Sequence, residues 1–507
     1  MIPGVRRQAV IDMGSNSFRL VVYGHEKGSW WALIDEIREP VRVSEGMGRE
    51  SELKPEPMDR AVRTAAVFAA FCEASGIEEV DAVATSAIRE ASNRAELLEA
   101  ISEQTGLEVR VISGEEEARY GWLAMANSTT VDDGYGVEIG GGSAQLVRIR
   151  GRQLTDACSL PLGAVRLSEA FLPDEKAPGK ARKAVRRHVA GRLGAVEWWP
   201  TKGGRLVGIG GTIRNLAAAA GKQLDTPDMD VQGFVLTREA LEELIEALAD
   251  KPASKRGSIP GIKPDRGDVI LGGTIALATM MDEGGFKAIE VSEAGLREGI
   301  FFECLLEDAE PPLFGDVRRE SVINLAHRYR TDDVHVGHVA KLSLELFDGL
   351  GEAGLHKQGN VERELLWAAC ELHDIGVAID YDDHHHHSAY LILNSGLPGY
   401  SSREQVLIAL VARYHRKGDP DASSLGDLAE RGDKGRVRLL SGIIRLAEQL
   451  ERSRDQSVAS VDVSAQNGAL ILRPKVKSGD AGVPIWAARR SADLLAEAVG
   501  RKVEIDA

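Results

Sequence analysis

The sequence predicts an α/β protein whose two similar halves face each other across a cleft, followed by a mainly helical region. Three observations carry this. Strand-like and helix-like stretches alternate up to about residue 305. From about residue 317, long amphipathic runs dominate and strand signals become sparse. Finally, the stretch IDMGSNSFRLV (Ile11–Val21) returns as VEIGGGSAQLV (Val137–Val147). Overlaid, Asp12 falls on Glu138, Gly14 on Gly140, Ser17 on Ser143, and Leu20-Val21 on Leu146-Val147. Both copies read as strand, acid, tight glycine turn, serine, strand, the mark of a duplicated fold.

In chain order, QAVIDMG, EVDAVAT and LEVRVIS read as strands, with helical patterns over Met58–Ala74 and Arg94–Gln104 between them. A third glycine turn, in LVGIGGTIRNLA, follows a strand at Leu206–Ile209 and opens a helix. The Pro-rich, acidic stretch Glu307–Asp316 marks a boundary. Beyond it, Val317–Tyr329, Val334–Leu350 and Glu362–Leu372 read as amphipathic helices, and GALILRP as a late strand. The expected domains are residues 1–125, 126–310 and 311–507.

A chain of 507 residues is too long for one ordinary core, and an apolar fraction of 43% suits a folded protein. No apolar run is long enough to span a membrane, and the start lacks a secretory segment. Cys72, Cys158, Cys304 and Cys370 are far apart, as expected for reduced thiols in a cytoplasmic protein without a disulfide framework. No membrane or nucleic-acid partner is expected. At a net charge of −16, a polyanion site needs a local basic patch. The run GKARKAVRRHVAGR (Gly179–Arg192) has six Lys/Arg and no acid, and reads as either a solvated helix face or an anion track.

The glycine turns can present backbone N–H groups to phosphate oxygens. Glycine at 140, 141, 142, 210 and 211 lets an anion approach the main chain closely. Ser15, Asn16, Ser17, Ser143 and Thr212 add side-chain donors. Ordinary hairpin turns share this composition, but an in-register repeat favours the binding role. Asp12 and Glu138, at the ends of facing strands, are the carboxylates available for Mg2+, which takes only one or two from a protein. In ISGEEEARYGW, Ser113 and Glu116 make a capping box, and Glu115 suits the helix dipole. Glu117 has no such local task and is the candidate base that orients a water. Arg89, just after a strand, and Arg266, between a turn and a helix start, are either phosphate forks or surface ion-pair partners.

These pieces resemble the exopolyphosphatase / guanosine pentaphosphate phosphohydrolase family. The matching segments are AVIDMGSNSFRL, ATSAIREASNR, VISGEEEARYGW, VEIGGGSAQLV, LPLGAVRL, GIGGTIRNLA and RGDVILGG, in the family's order from Ala9 to about Gly273. The resemblance implies two ribonuclease-H-like domains of the actin-like ATPase superfamily around a cleft. It implies hydrolysis of the terminal phosphoanhydride of polyphosphate, or of the 5′ γ-phosphate of pppGpp, with Mg2+ and with Mn2+ as substitute. It implies Glu117 as the base, and Asp12, Glu138 and Gln145 around metal and water. The family usually has Asp where Glu138 stands and Glu where Gln145 stands. These departures leave open a weakly active regulator that senses (p)ppGpp or polyphosphate.

The last third resembles the family's longer members, whose final domain is related to His-Asp (HD) phosphohydrolases. The segments are HVGHVAKLSLELFD, ACELHDIG, HHHHSAYLI and ARYHRKG. His384, His385 and His387 fit a family HHxHS segment. A metal site of the HD type would use His338, His373, Asp374 and a later Asp, where Glu448 or Glu451 stands instead. The altered fourth ligand favours a retained helical scaffold with an incomplete site. The resemblance also implies a homodimer formed through this region. A long polyphosphate is expected to follow the basic segments and Arg318, Arg319, Arg328 and Arg330, and to stay bound between cuts.

Overall fold

The computed structural model describes residues 5–48, 51–477 and 481–506. The chain forms two compact units. One comprises Met1–Gln223 and Val231–Val317, the other Leu224–Asp230 and Arg318–Ala507.

In the first unit, β1 (Arg6–Met13), β2 (Phe18–Glu26), β3 (Trp30–Glu39), β4 (Glu79–Ala84) and β5 (Val109–Val111) form a sheet in the order β3-β2-β1-β4-β5. The first three strands are an antiparallel meander, while β4 and β5 run parallel to β1. Parallel pairing needs crossovers, and the helices Pro55–Ala74 and Arg94–Thr105 supply them. A second sheet is built from β6 (Gly134–Ile139), β7 (Ala144–Arg150), β8 (Gln153–Leu160), β9 (Leu206–Ile209), β10 (Val235–Thr237) and β11 (Ala288–Val291). Its order is β10-β11-β9-β6-β7-β8. Here too a meander, β6–β8, is extended by parallel strands, β9 and β11. The sequence repeat therefore extends to the topology. Its two copies are the hairpins β1–β2 and β6–β7, in which Asp12 pairs with Arg19 and Glu138 with Gln145.

Two helices join the sheets. Apart from Arg119, Gly114–Ser128 is buried from Glu117 onward, because it is covered on more than one side. It shares one core with Leu296–Leu305. That core mixes Val10 and Val83 of the first sheet with Val147 and Val207 of the second, around Leu123, Ala124 and Phe301. The two helices touch at main-chain distance: a Cβ on Gly299 would lie 2.0 Å from the carbonyl oxygen of Tyr120. Tyr23 of β2 stacks on Phe301 at 4.2 Å, and its hydroxyl donates to Glu298 at 2.6 Å.

The basic run is the helix Gly179–Leu193. Arg182 pairs with Glu246 at 2.6 Å, and Arg186 with Glu242 at 2.9 Å. Neighbouring acids thus neutralise part of the expected anion track. All four cysteines are free thiols. No helix among the described residues is long and apolar enough to cross a membrane.

In the second unit, the helices Asp333–Glu352, Asn360–Leu372, His384–Ser395, Ser402–Arg413 and Asp433–Leu450 surround a core that includes Val339, Leu346, Leu366, Ile408 and Ile443. A small sheet of β12 (Val458–Gln466), β13 (Ala469–Val476) and β14 (Lys502–Ile505) follows. The sequence signal GALILRP belongs to β13 alone. Its neighbours carry more polar residues and give a weaker alternation. Arg318, expected along a polyanion path, has another task. It stacks over Tyr400 at 3.9 Å and pairs with Glu364 at 2.5 Å and Glu404 at 3.0 Å. Arg319 lies over the Trp367 ring at 4.9 Å.

The crossing at Gly299 leaves no room for a methyl group. Gly299→Ala is expected to lower the unfolding free energy of the first unit by about 2 kcal/mol, the cost of overpacking a tight contact. Denaturant unfolding measures this, and an unchanged midpoint would show that the helices separate freely.

Candidate active site

Both hairpin turns are turned outward by their neighbours. In the Gly140–Ser143 turn, the carbonyl of Gly140 accepts from Ala164 N–H at 2.9 Å, and that of Gly141 from Val165 N–H at 2.9 Å. The carbonyl of Gly142 accepts from Gly163 N–H at 3.3 Å and from Arg166 Nε at 2.9 Å. Across a trans peptide the next N–H points the opposite way. The N–H groups of Gly141, Gly142 and Ser143 are therefore directed away from that helix, and donate to no described residue. The first turn is built alike. The carbonyls of Ser15 and Asn16 accept from the N–H groups of Ser44 at 3.4 Å and Arg42 at 2.9 Å. This leaves the N–H groups of Asn16 and Ser17 on the other side. The helix Gly210–Gly221 adds its N-terminus as a third donor group. Gly210 has φ +88°, and a Cβ there would meet the Glu138 side chain at 3.1 Å, so glycine is required twice over.

These three elements line one cavity of about 110 Å3. Of the residues singled out in the sequence, Asp12, Ser15, Asn16, Ser17, Glu117, Glu138, Gly140, Gly141, Ser143, Gly210, Gly211 and Arg266 line it. Four others lie behind it. Arg89 does not face the cavity but donates from Nη1 to Glu117 Oε2 at 3.0 Å and to the Ile112 carbonyl at 2.9 Å. Gln145 is 2% exposed and donates to the hydroxyls of Ser143 at 2.8 Å and Ser159 at 3.1 Å. Gly142 packs on Ser86, where a Cβ would meet the hydroxyl at 2.5 Å. The hydroxyl of Thr212 is buried without a hydrogen bond to any described residue, against Gly273.

The structure adds Arg19, Arg214 and Arg297 to the cavity wall. Arg19 and Arg214 lie inside the quoted motifs, and Arg19 stands directly opposite Asp12 across the hairpin. Arg297 has no motif to mark it, and is brought in by the first turn of the helix Leu296–Leu305, 3.7 Å from Asp12. Burial and the neighbouring Arg297 disfavour the charge on Arg19, and burial together with Arg38 does the same at Arg266. The wall is thus crowded with cations that an anion would relieve.

The carboxyl groups show the converse. The capping box at Ser113 and Glu116 forms as the sequence predicts, which leaves Glu115 and Glu116 exposed and turns Glu117 inward, 8% exposed. Burial pushes the Glu117 carboxyl up to about 7, against the pull of Arg89. Burial, with the charges of Glu117 and Asp12, pushes Glu138 up to about 8. Asp12 is raised by burial despite Arg297. The Glu138 Oε2 atom makes no hydrogen bond to any described residue.

In the second unit, the residues of the expected HD-type site assemble differently. His338 stands apart, donating to the Val458 carbonyl at 2.9 Å and lying 3.5 Å from Glu451. His335, one helical turn earlier on the same helix, takes its place beside His373 and Asp374. Of the two candidate acids, Glu448 reaches this group, 3.1 Å from His335. His384 and His415 join it through Asp374.

Because the folded chain holds the Glu138 proton more tightly than the unfolded chain, stability falls as pH rises from the ordinary glutamate value through about 8. Glu138→Gln removes that loss. In divalent-free buffer the variant's Tm should gain on the wild type between about pH 5 and about pH 9. An identical difference at both ends of the range would show that Glu138 is ionised throughout.

The model of the Ppx/GppA phosphatase family matches residues 21–308, and that of the Ppx/GppA phosphatase domain III matches residues 317–478. Among solved structures, a Ppx/GppA family member of Aquifex aeolicus is 28% identical, covering 60% of this chain and 99% of its own, with a TM-score of 0.52. A structure of the PPX-GPPA enzyme of the same organism is 29% identical, covering 59% and 99%, with a TM-score of 0.51. An exopolyphosphatase of Cytophaga hutchinsonii shares the fold at 23% identity, covering 59% and 98%, with a TM-score of 0.54. The two mixed sheets are of the actin-like ATPase type, and a mainly helical region follows them. The chain belongs to the Ppx/GppA phosphatase family.

Proposed function

We propose that the chain is an exopolyphosphatase, releasing orthophosphate from the end of inorganic polyphosphate with a divalent cation, Mg2+ or Mn2+, as cofactor. The observation that carries this reading is one cavity in which Glu117 faces two outward-turned amide loops and four arginines.

The residues fit a divalent cation. Burial raises the proton affinity of Asp12, Glu117 and Glu138, Asp12 adds to it at Glu117, and both add to it at Glu138, whose Oε2 lacks a partner among the described residues. This donor set is short of positive charge. The three do not converge as a single three-carboxylate cluster, which suits an ion that keeps several waters. Asp12 and Glu138 would hold it. When bound, the ion neutralises charge on the phosphoryl oxygens.

The chain's own groups account for the rest. The N–H groups of both turns and of the Gly210 helix cradle phosphate oxygens and are preorganised, since their carbonyls are already engaged. Arg19, Arg214, Arg266 and Arg297 offset the charge of the terminal phosphates. Glu117 Oε2 is held by Arg89, which leaves Oε1 to accept from a water. A carboxylate with its pKa near 7 is ionised enough to act at neutral pH and basic enough to take the proton. The water oxygen bonds to the terminal phosphorus, the bridging P–O bond breaks, and its electron pair leaves on the shortened chain. Gln145 braces Ser143 from behind.

A second reading, a pppGpp 5′-phosphohydrolase, rests on an adjoining cavity. It measures about 580 Å3, shares Ser15 and Gly141 with the first, and carries Glu90, Arg166 and Glu169 on its wall. That volume exceeds the needs of a phosphate, and the acids suit a nucleoside better than a polyanion.

Phosphate release from long polyphosphate and from pppGpp, compared with Mg2+ and Mn2+, separates the readings. Faster release from polyphosphate is expected, and release from pppGpp alone would favour the second. Glu117→Gln should lower kcat by about 100-fold or more on the active substrate. An unchanged kcat would remove Glu117 from the mechanism.

A further inference from the structure

We propose that a polyphosphate chain leaves the catalytic cavity past Lys263, which takes the phosphates next beyond those at the glycine turns; this rests on the exopolyphosphatase reading. Lys263 lies outside the matched motifs and does not line the cavity itself. Its main chain is nevertheless fixed beside it. The Lys263 N–H donates to Asn215 Oδ1 at 2.7 Å, and Asn215 Nδ2 donates to the Gly211 carbonyl at 2.7 Å. Asn215 follows Arg214 on the helix Gly210–Gly221. The single turn Pro264–Arg266 then brings Arg266 to the cavity wall. Lys263 is thus tied to the elements that carry two of the cavity's arginines.

The first sheet continues the cations outward. Asp12 pairs with Arg19 across β1 and β2, and Arg19 with Arg38 across β2 and β3. Residues paired in this way share one face of a sheet, on strands about 4.8 Å apart. Because β3 is the edge strand, the row runs from the cavity toward the rim. Arg38 Nη2 donates to Asp265, while its buried Nε donates to no described residue. Lys263 is partly exposed and forms no ion pair with a described residue. Burial, then Arg19, Arg214 and Arg38, hold its ammonium below the usual lysine value, against the weaker pull of Glu36. Acids are present here: Glu36 on Arg19 at 3.0 Å, Asp265 on Arg38, and Glu293 near Arg214 and Lys263. The cations Arg19, Arg38, Arg214, Lys263 and Arg266 outnumber them.

The adjoining cavities have the opposite balance. One, of about 490 Å3, meets the catalytic cavity at Asn16. Its charged wall residues, among those described, are Arg42, Glu45, Glu169, Asp174, Glu175 and Asp268. Arg42 lies 3.7 Å from Asp268, so even this cation is shared. In the cavity of about 580 Å3, Arg166 is bound by Glu90 at 2.6 Å, and Glu169 adds a further acid. Every phosphate of the chain is an anion, so passage into these cavities costs free energy while passage toward Lys263 gains it. A lysine also suits the place. Its ammonium is a mobile point charge that can follow a flexible chain, whereas arginine forks hold the end being cut.

The test compares long polyphosphate with tripolyphosphate as substrates of the full chain. Lys263→Glu should raise KM for long polyphosphate by about 10-fold and leave kcat unchanged, because the bond being cut is untouched. For tripolyphosphate the rise should stay below about twofold. The salt dependence of KM for the long substrate, as log against log, should become less steep by about one. Asp174→Lys, in the acid-lined cavity, should stay within about twofold of the wild type on both substrates. Circular dichroism checks folding, and if Lys263→Glu does not fold, Lys263→Ala serves, with a rise of about threefold. Absence of phosphate release by the wild type would defeat the exopolyphosphatase reading alone. Calorimetric binding of long polyphosphate to the full chain, weakened about 10-fold by Lys263→Glu, would then decide the exit route by itself. An unchanged KM or affinity for long polyphosphate, an equal rise for both substrates, an unaltered salt slope, or a tighter KM with Asp174→Lys would each overturn the Lys263 route.

Discussion

The cleft depends on how closely two helices cross. Gly299 lets Leu296–Leu305 lie against the main chain of Gly114–Ser128 at Tyr120. The same two helices carry Arg297 and Glu117 into the cavity. The apolar core around the crossing draws on both sheets. A contact several residues from the cavity therefore sets the distance between the acid and the cation that define it. Packing of this density has little capacity to absorb displacement, so the two hairpin turns are held in register across the cleft.

The rest of the site follows from hydrogen-bond accounting. A loop with small side chains leaves its peptide groups free to choose partners, and here every carbonyl of the Gly140–Gly142 segment is taken from one side. The amides on the other side donate to no described residue. The wall around them combines four arginines with three buried carboxyl groups, so cations and acids are each left short of their complement. The proposed occupants, a phosphate together with a divalent ion, call for unmet demand of both signs.

Much of this was legible in the sequence. The repeat located both hairpins and hence the two sheets, since a turn that needs glycine between two apolar strands has few other uses. The capping-box argument singled out Glu117, because Ser113 and Glu116 occupied each other and left their neighbour for the interior. What stayed hidden depends on long-range placement. Arg297 sits in an ordinary helix start and matters only through the crossing at Gly299. Arg89 reads as a phosphate fork until its guanidinium is seen on Glu117. In the second unit, His335 and His338 are one helical turn apart, too close for spacing alone to decide which faces the cluster. Glu448 and Glu451 pose the same ambiguity on their helix.

The duplicated hairpins are alike in backbone and unlike in charge. Where the first sets Arg19 across from Asp12, the second sets Gln145 across from Glu138. A scaffold built on one repeated hairpin thus carries unequal charge, a guanidinium opposite the strand-end acid in the first copy and a neutral amide in the second. Two hairpins of one backbone design therefore present unlike surfaces to whatever lies between them.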